Sequence, residues 1–255
     1  SDRWYGLRVT PGASASIAQA RFDKLLNGIE VSANSGSPTS FTFSNSTVTG
    51  PGCLSFTGSS GTSTSTLSGV TLSGCTSAAI SHAYGTTSIT GSVLRDTTGY
   101  GISMSGGAVT VDRSTISFNS GYGVYGECNG SGSIAVTNSI VSHNGSPGLG
   151  RSGCSFVASV SSAYNNVWGN SSTGLQMPPT GADVSSNNFA SVSQGTGSQS
   201  TNPLFTAQGA TPRDLTLTST SPSIGAGRVG AVAGGAPIDQ GAFPFTVGPI
   251  MTVVI

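Results

Sequence analysis

The chain has 255 residues, of which only 7% are charged. Nine Lys and Arg residues balance nine Asp and Glu residues, so the formal net charge at pH 7 is zero. A nucleic-acid partner is disfavoured, because a phosphate-binding surface needs clustered Lys and Arg. No apolar run is long enough to cross a bilayer. We therefore expect neither a nucleic-acid partner nor a membrane span.

A repeat of about two dozen residues runs through most of the sequence. Its anchor is a Gly followed by an aliphatic residue, as in Gly101-Ile102, with Cys53-Leu54 and Ala79-Ile80 as variants. The aliphatic anchors are Leu7, Ile29, Leu54, Ile80, Ile102, Val124, Leu149 and Leu175. Successive anchors lie 22, 25, 26, 22, 22, 25 and 26 residues apart. A period in this range indicates a solenoid.

Each unit contains three short apolar patches. Apolar and polar residues alternate within them with the period of two that is typical of a strand. Beyond the anchor, a second strand points Phe41, Leu67, Ile89, Val111 and Val136 inward. A third inward position is occupied by Leu72, Leu94, Ile116, Val141 and Val167. Three strands per turn with Gly, Asn and Ser at the corners predict an all-β fold, a single-stranded parallel β-helix of about eight coils of 22–26 residues.

The domain organisation follows from where the repeat fades. We assign residues 1–193 to the coils and residues 194–255 to a polar linker and a C-terminal cap, because a solenoid must cover its last coil or leave an open edge. Since Leu7 is already an anchor, we expect the chain to begin within a coil of a longer protein.

Four cysteines form two pairs spaced by about one coil. Cys53 and Cys75 are 22 residues apart, and Cys128 and Cys154 are 26 apart, so each pair would stack on neighbouring turns and could form a disulfide. Each closed loop would contribute roughly 3 kcal/mol. Buried free thiols are the alternative, but a surface rich in Ser, Thr and Gly favours disulfides and an extracytoplasmic location.

Polar corner residues recur five positions before the anchors: Thr49, Cys75, Thr97, Asn119, Asn144 and Asn170. Asn tolerates the left-handed backbone and bonds to turn amides, so we expect a structural ladder. The glycosylation sequons at Asn144 and Asn170 would then be inaccessible, whereas Asn45 and Asn129 remain formal acceptors.

The C-terminal segment carries a motif set of its own. It reads Asn202-Pro203-Leu204-Phe205, Asp214-Leu215-Thr216-Leu217, Ser221-Pro222-Ser223-Ile224-Gly225-Ala226-Gly227 and Asp239-Gln240-Gly241-Ala242-Phe243. These motifs resemble the closing region of bacterial secreted and surface right-handed β-helix proteins of the pectate-lyase-like type, although Asn202, Gly225 and Pro244 replace acidic residues. The resemblance implies a right-handed helix and a bacterial, extracytoplasmic protein. It is weak for activity, because similar proteins include lyases, epimerases and adhesins.

Tyrosines provide the first candidate site. Tyr100 and Tyr122 lie two residues before consecutive anchors and Tyr125 follows one, so their flat rings could stack on sugars. Mutual shielding of a corner is the competing interpretation. We treat Tyr100, Tyr122 and Tyr125 as the predicted ligand-binding residues.

An enzyme is the alternative function. A polysaccharide lyase needs a basic residue and usually Ca²⁺ held by several carboxylates, whereas inverting hydrolysis needs a carboxyl pair. The credible candidates are Arg95, Asp96, Asp112, Arg113 and His143. Surface salt bridges explain the two Arg-Asp pairs more simply. The few acids fall in different columns, so we expect no metal site, and no cofactor unless the enzyme alternative holds and requires Ca²⁺.

Two further expectations concern single residues and one face. His82 falls in an inward column and should be a packed core histidine. The outward Ser/Thr row of the second strands could order water and bind ice, but solvated strand faces are ordinarily rich in Ser and Thr. The sequence thus favours an extracytoplasmic surface module with a structural or adhesive role, whose candidate partner is a polysaccharide or another cell-surface component.

Overall fold

The computed structural model describes residues 5–34, 36–58, 63–152, 159–171, 189–190 and 192–245, with the backbone alone for 128–131 and 189. Within these residues the chain forms a right-handed parallel β-helix. Each coil contributes one strand to each of three rows, and every strand in a row pairs in parallel with its equivalent in the next coil. The predicted fold class is confirmed.

The strands of the three rows follow one another along the chain. The first row contains β1 (Leu7–Val9), β4 (Ile29–Ala33), β7 (Leu54–Gly58), β10 (Ala78–His82), the beginnings of β13 (Tyr100–Asp112) and β15 (Val124–Thr137), β17 (Leu149–Arg151) and β20 (Phe189–Ala190). The second row contains β2 (Ser14–Ala18), β5 (Ser40–Ser44), β8 (Thr64–Ser68), β11 (Thr86–Thr90), the ends of β13 and β15, and β18 (Ser159–Ala163). The third row contains β3 (Arg21–Asp23), β6 (Thr47–Thr49), β9 (Thr71–Ser73), β12 (Val93–Arg95), β14 (Thr115–Ser117), β16 (Ile140–Ser142) and β19 (Asn166–Trp168).

Within the described residues, the rows contain seven or eight strands. The third row stacks seven strands, so six turns of chain separate β3 from β19. An eighth position exists in the first row, where Leu149 pairs with Phe189. The eighth predicted anchor, Leu175, lies outside the described residues.

Aliphatic side chains of successive coils fill a common interior. Ile102 pairs with Val124, and Val124 pairs with Leu149 in the next coil. All three side chains are fully buried. At roughly 1.5–3 kcal/mol for each buried aliphatic side chain, this column is a main source of stability.

The second row of strands is shifted in one coil relative to the simple order of the inward residues. Phe43, and not Phe41, pairs with Leu67, while Phe41 pairs with Ser65. Both phenylalanines are buried, because a shift of two residues preserves the side of the strand that faces inward. The prediction that Phe41 and Leu67 face inward is therefore confirmed, and the pairing shows that Phe43 is the residue that stacks with Leu67.

Two corners of each coil use residues in the left-handed backbone region. The corner after the second-row strands has φ of 45–64° at Gln19, Asn45, Gly69, Gly91, Arg113, Asn138 and Tyr164. The corner after the third-row strands has φ of 55–73° at Lys24, Gly74, Asp96, Phe118, His143 and Gly169. Corner residues of successive coils consequently lie one above another, which brings Asp96, Phe118 and His143 into one column.

The predicted asparagine ladder is present. The side-chain amide of Asn119 donates to Asn144 Oδ1, and that of Asn144 donates to Asn170 Oδ1, both at 2.9 Å. Asn144 also donates to the carbonyl of Ile116 at 3.1 Å. Because Asn144 and Asn170 are buried, their sequons lie inside the corner as expected.

A second ladder, which the sequence analysis did not identify, lies before the third-row strands. The hydroxyls of Ser92, Ser114 and Ser139 each accept a hydrogen bond from a backbone amide of the preceding coil, at 3.1–3.2 Å. Asn165 continues the series by accepting from the amide of Ser139 at 2.8 Å. Stacked side chains thus satisfy backbone donors that a tight corner would otherwise leave unpaired.

One of the two predicted disulfides lies within the described residues. Cys53 and Cys75 are bonded, with their Cα atoms 5.7 Å apart on neighbouring coils. Cys154 and the side chain of Cys128 lie outside the described residues.

The C-terminal segment contacts the helix both at the end of the third row and along its outer side. Residues 196–200 extend the end of the third row, where the Gln199 amide donates to the Asn165 carbonyl at 2.8 Å. The segment then forms β21 (Phe205–Ala207), β22 (Asp214–Leu217), β23 (Gly227–Arg228), a 3₁₀ turn at Val229–Ala231 and β24 (Pro237–Ile238). Most of it packs against the outer side of the third row, forming a second core of Val93, Phe118, Ile140, Phe205, Leu215 and Leu217. Val93, Phe118 and Ile140 lie on the side of the coils, and the C-terminal segment covers them and removes them from water.

Backbone contacts hold this segment close to the third row. The Gly241 amide donates to the Asn138 carbonyl at 2.9 Å, and the Ala242 amide donates to Thr115 Oγ1 at 3.0 Å. Gly241 has φ of 94°, and a Cβ atom there would lie 2.8 Å from Ile140 Cδ1. An L side chain would be strained at this φ, so the position favours glycine.

Candidate functional site

Three tyrosines of two adjacent coils converge on the surface. The Tyr100 and Tyr125 rings are stacked with centroids 5.5 Å apart, and Tyr122 lies 4.6 Å from Tyr125 and 6.1 Å from Tyr100. All three are half-buried. We call Tyr100, Tyr122 and Tyr125 the tyrosine cluster; the structure brings together all three residues predicted to bind a ligand.

Glycines in neighbouring coils make room for the rings. A Cβ atom at Gly121 would lie 2.7 Å from the Tyr100 ring, and one at Gly150 would lie 2.4 Å from the Tyr122 ring. Tyr100 and Tyr122 therefore rest on backbone that carries no side chain. Tyr125 stands on the outer side of β15, where it pairs with Ser103 and Gly150.

A carboxylate accompanies the cluster, and the sequence analysis did not connect it with the tyrosines. Glu127 lies two residues after Tyr125 on the same side of β15, and its Oε1 accepts a hydrogen bond from the Ser103 hydroxyl. Ser103 in turn pairs with Tyr125. The available signal was the period of two, which places Tyr125 and Glu127 on one face.

This surface combines apolar ring faces with polar groups. Burial, followed by the neighbouring Tyr125 and Tyr100, raises the pKa of the Tyr122 phenol above its ordinary 10.0, so the hydroxyl is protonated at neutral pH. Phenol rings offer an apolar face and a polar tip. The Glu127 carboxylate adds a hydrogen-bond acceptor.

The five candidates for the enzyme alternative separate into two groups at opposite ends of the third-row strands. Asp112 and Arg113 precede β14, where Arg113 Nε donates to Asp112 Oδ2 at 2.9 Å. Arg95, Asp96 and His143 lie at the other end, after or at the end of β12 and after β16. The groups that an acid–base mechanism would require therefore face different corners.

His143 is enclosed by aromatic rings. It stacks on Phe118 with centroids 4.6 Å apart and meets Trp168 at 5.1 Å and Phe205 at 6.2 Å. We call Phe118, His143, Trp168 and Phe205 the histidine cluster. Burial, and secondarily the Arg213 charge, lowers the pKa of His143 from 6.5 to about 4. The imidazole is thus neutral at physiological pH and is mostly covered by protein.

Asp96 takes part in a set of ionic and cation–π contacts that hold the C-terminal segment against the coils. It forms ion pairs with Arg95 and with Arg213 Nε, the latter at 2.8 Å. The Arg213 guanidinium lies 3.9 Å above the centre of the Phe118 ring, a cation–π contact. These groups connect the C-terminal segment to the corner of the coils, which is a structural role.

The outward Ser/Thr row forms aligned columns on the second row of strands. One column aligns Ser16, Thr42, Thr66, Ser88, Thr110, Ala135 and Ser161. A parallel column contains Asp112 between Thr90 and Thr137. The alanine and aspartate interruptions that the sequence shows therefore lie within the grid.

His82 is packed in the interior. It is 2% exposed, and its ring nitrogens contact the Gly106 carbonyl at 2.8 Å and Thr87 Oγ1 at 3.0 Å. Burial lowers its pKa, while the bond to Gly106 acts in the opposite direction. These contacts satisfy both nitrogens and give His82 a structural role.

Within the described ranges, no three His, Cys, Asp or Glu residues are grouped closely enough to hold a metal ion. None of the helical structure in the same ranges is long and apolar enough to span a bilayer.

Stacked three-strand coils with an apolar interior and corner ladders define a parallel β-helix repeat protein. The chain belongs to the right-handed β-helix family, because the family model for a right handed beta helix region matches residues 5–170, more than half of the sequence. A search of curated proteins finds no match.

Proposed function

We propose that the protein is an extracytoplasmic β-helix module with a structural or adhesive role, and that it binds a glycan through the tyrosine cluster. The observation that carries the proposal is the convergence of three half-buried phenol rings on one surface, with centroids 4.6–6.1 Å apart.

The arrangement of the cluster supports a binding role. Gly121 and Gly150 leave the space that the Tyr100 and Tyr122 rings occupy. Glu127 provides an acceptor next to Tyr125. Sugar rings present C–H faces and hydroxyl edges, and this combination of aromatic surface and polar groups complements both.

Two features support the location and the structural role. A disulfide between adjacent coils, Cys53–Cys75, is typical of proteins that mature in an oxidising compartment. A solenoid also presents a long, regular surface, which suits attachment to an extended polymer.

Binding to a panel of insoluble and soluble polysaccharides tests the proposal. We expect at least one polymer to bind, and Tyr125→Ala to weaken that binding by roughly tenfold or more, which corresponds to about 1.4 kcal/mol. Tyr84→Ala is the matched control, since Tyr84 is 40% exposed and is not part of the cluster; this variant should bind like the parent protein.

Three results would contradict the proposal. They are the absence of binding across the panel, unchanged binding by Tyr125→Ala, or an equal loss in Tyr84→Ala. Release of unsaturated sugars from a uronan, measured by absorbance, would instead support the lyase alternative.

A further inference from the structure

A surface cavity lies between the coils and the C-terminal segment, away from the tyrosine cluster. Its volume is about 370 Å³, which falls within the roughly 300–1,000 Å³ of small-molecule sites. One wall consists of the corner residues Thr90, Gly91 and Arg113. The other wall is part of the stretch 238–244 of the C-terminal segment.

The second wall is held rigidly. The carboxylate of Asp239 accepts backbone hydrogen bonds from Gly225 at 2.8 Å and from Phe245 at 2.7 Å. The amides of Gly241 and Ala242 bond to the coils at 2.9 and 3.0 Å. The cavity therefore exists before any ligand arrives, which lowers the entropic cost of binding.

The first wall presents an oriented guanidinium group. Asp112 Oδ1 accepts hydrogen bonds from Thr137 and Asn138 at 3.0 and 2.8 Å, and Asp112 Oδ2 accepts from Arg113 Nε at 2.9 Å. The Arg113 side chain is 52% exposed. Within the described part of the chain its terminal amino groups donate no other hydrogen bond, so they can donate to a ligand.

The remaining lining determines the class of ligand. Ile238, Ala242 and Pro244 supply an apolar surface, and Thr90 and Asp239 add polar groups. One cation, Arg113, is accompanied by two carboxylates, Asp112 and Asp239. An acidic sugar would gain no net attraction there, whereas a neutral pyranose ring could place its C–H face on the apolar surface and its hydroxyls against Arg113.

We propose that this cavity, which we call the Arg113 cavity, binds the ring of a neutral saccharide, independently of the tyrosine cluster. A ring bound there contacts Arg113 and Thr90 on the coil side and Ala242 on the side of the C-terminal segment. The site would give the module a second sugar contact on another side of the helix.

Titration with cellobiose and chitobiose as neutral probes and digalacturonate as the acidic probe tests this proposal, with calorimetry and saturation-transfer NMR as readouts. At least one neutral disaccharide should bind more tightly than digalacturonate. Thr90→Trp should fill the cavity from its rim, and Arg113→Met should remove the donors. Each variant should weaken binding of the neutral probe by roughly tenfold or more, or about 1.4 kcal/mol.

Two controls separate this site from the rest of the surface. Ser68 pairs with Thr90 one coil away in the same column, so Ser68→Trp adds the same side chain outside the cavity and should bind like the parent protein. Tyr84 is exposed and belongs neither to the cavity nor to the tyrosine cluster, so Tyr84→Ala should also leave disaccharide binding unchanged. Circular dichroism spectra should show that all variants are folded.

Any of four outcomes would overturn the Arg113 cavity as a neutral-sugar site. They are no binding of either neutral probe, digalacturonate binding at least as tightly, unchanged affinity in Thr90→Trp, or unchanged affinity in Arg113→Met. Unchanged affinity in both cavity variants would locate the disaccharide outside the Arg113 cavity and would leave the proposed function intact.

Discussion

The tyrosine cluster and the histidine cluster are both stacks of aromatic side chains, but they differ in how far they are buried. In each, the repeat stacks aromatic residues of successive coils near a corner, with ring centroids 4.6–6.1 Å apart in the first case and 4.6–5.1 Å apart in the second. The tyrosines are half-buried, whereas Phe118 and His143 are only 4% and 6% exposed.

The C-terminal segment accounts for the enclosure of the second cluster. Phe205 packs against His143, and Arg213 lies over Phe118 while it pairs with Asp96. Aromatic stacking in this solenoid therefore does not by itself indicate a binding site. A stack that the C-terminal segment leaves partly exposed is a candidate ligand surface, whereas a stack that the segment covers has a structural role.

Truncation of Phe118 should have the largest effect on stability. Phe118→Ala removes a buried ring between His143 and Arg213, and such truncations cost about 3–5 kcal/mol. Tyr100→Ala, at the matched cluster, should cost only about 1 kcal/mol, because the ring is half-buried. Urea unfolding followed by tryptophan fluorescence measures both. Equal losses in the two variants would show that the clusters do not differ in the way described.

Acid should destabilise the enclosed cluster through His143. Above pH 6.5 the imidazole is neutral in the folded and unfolded states, and the free energy of unfolding is unaffected. Between pH 6.5 and about 4 the unfolded chain takes up a proton that the folded chain refuses, so stability falls as pH falls, by at most about 3 kcal/mol. Below pH 4 both states are protonated and the loss stays constant.

His143→Phe isolates this contribution. Phenylalanine preserves the ring, and Phe118 already shows that it tolerates this corner, with φ of 61°. The difference in unfolding free energy between parent and variant should change by up to about 3 kcal/mol from pH 7 to pH 4. Any slope shared by both proteins belongs to other groups, including His82, whose pKa burial also lowers. A pH-independent difference would show that His143 is not held neutral.

The repeat in the sequence was sufficient to predict the coils and the convergence of the tyrosines. The anchor spacing alone predicts that Ile102 stacks between Ile80 and Val124 of the adjacent coils, as the pairing shows. The same spacing predicts that Tyr100 lies next to Tyr122. Within a solenoid each residue meets mainly its equivalents in adjacent coils, so a period predicts contacts directly.

Two kinds of feature were beyond that reasoning. The alignment of Phe43 with Leu67 depends on the length of a corner, and a shift of two residues leaves the alternation of buried and exposed residues unchanged. The enclosure of His143 depends on Phe205 and Arg213, which lie outside the repeat and reach the cluster only through tertiary folding. A periodic pattern contains no information on where a non-repeating segment packs.

The smallest of these effects should come from the ion pair that fastens the C-terminal segment. Asp96→Asn removes the partner of Arg213 on a side chain that is 29% exposed, so we expect a loss of about 1 kcal/mol. Trypsin cleavage of the native protein after Arg213 should accelerate by roughly fivefold. The lost interaction energy opposes local detachment of the C-terminal segment, which cleavage requires. Asp23→Asn, which breaks the more exposed Arg21–Asp23 pair at 2.8 Å, is the control and should change neither quantity. Cleavage of Asp96→Asn at the parent rate would mean that the apolar contacts of Phe205 and Leu215 hold the segment without help from the charge.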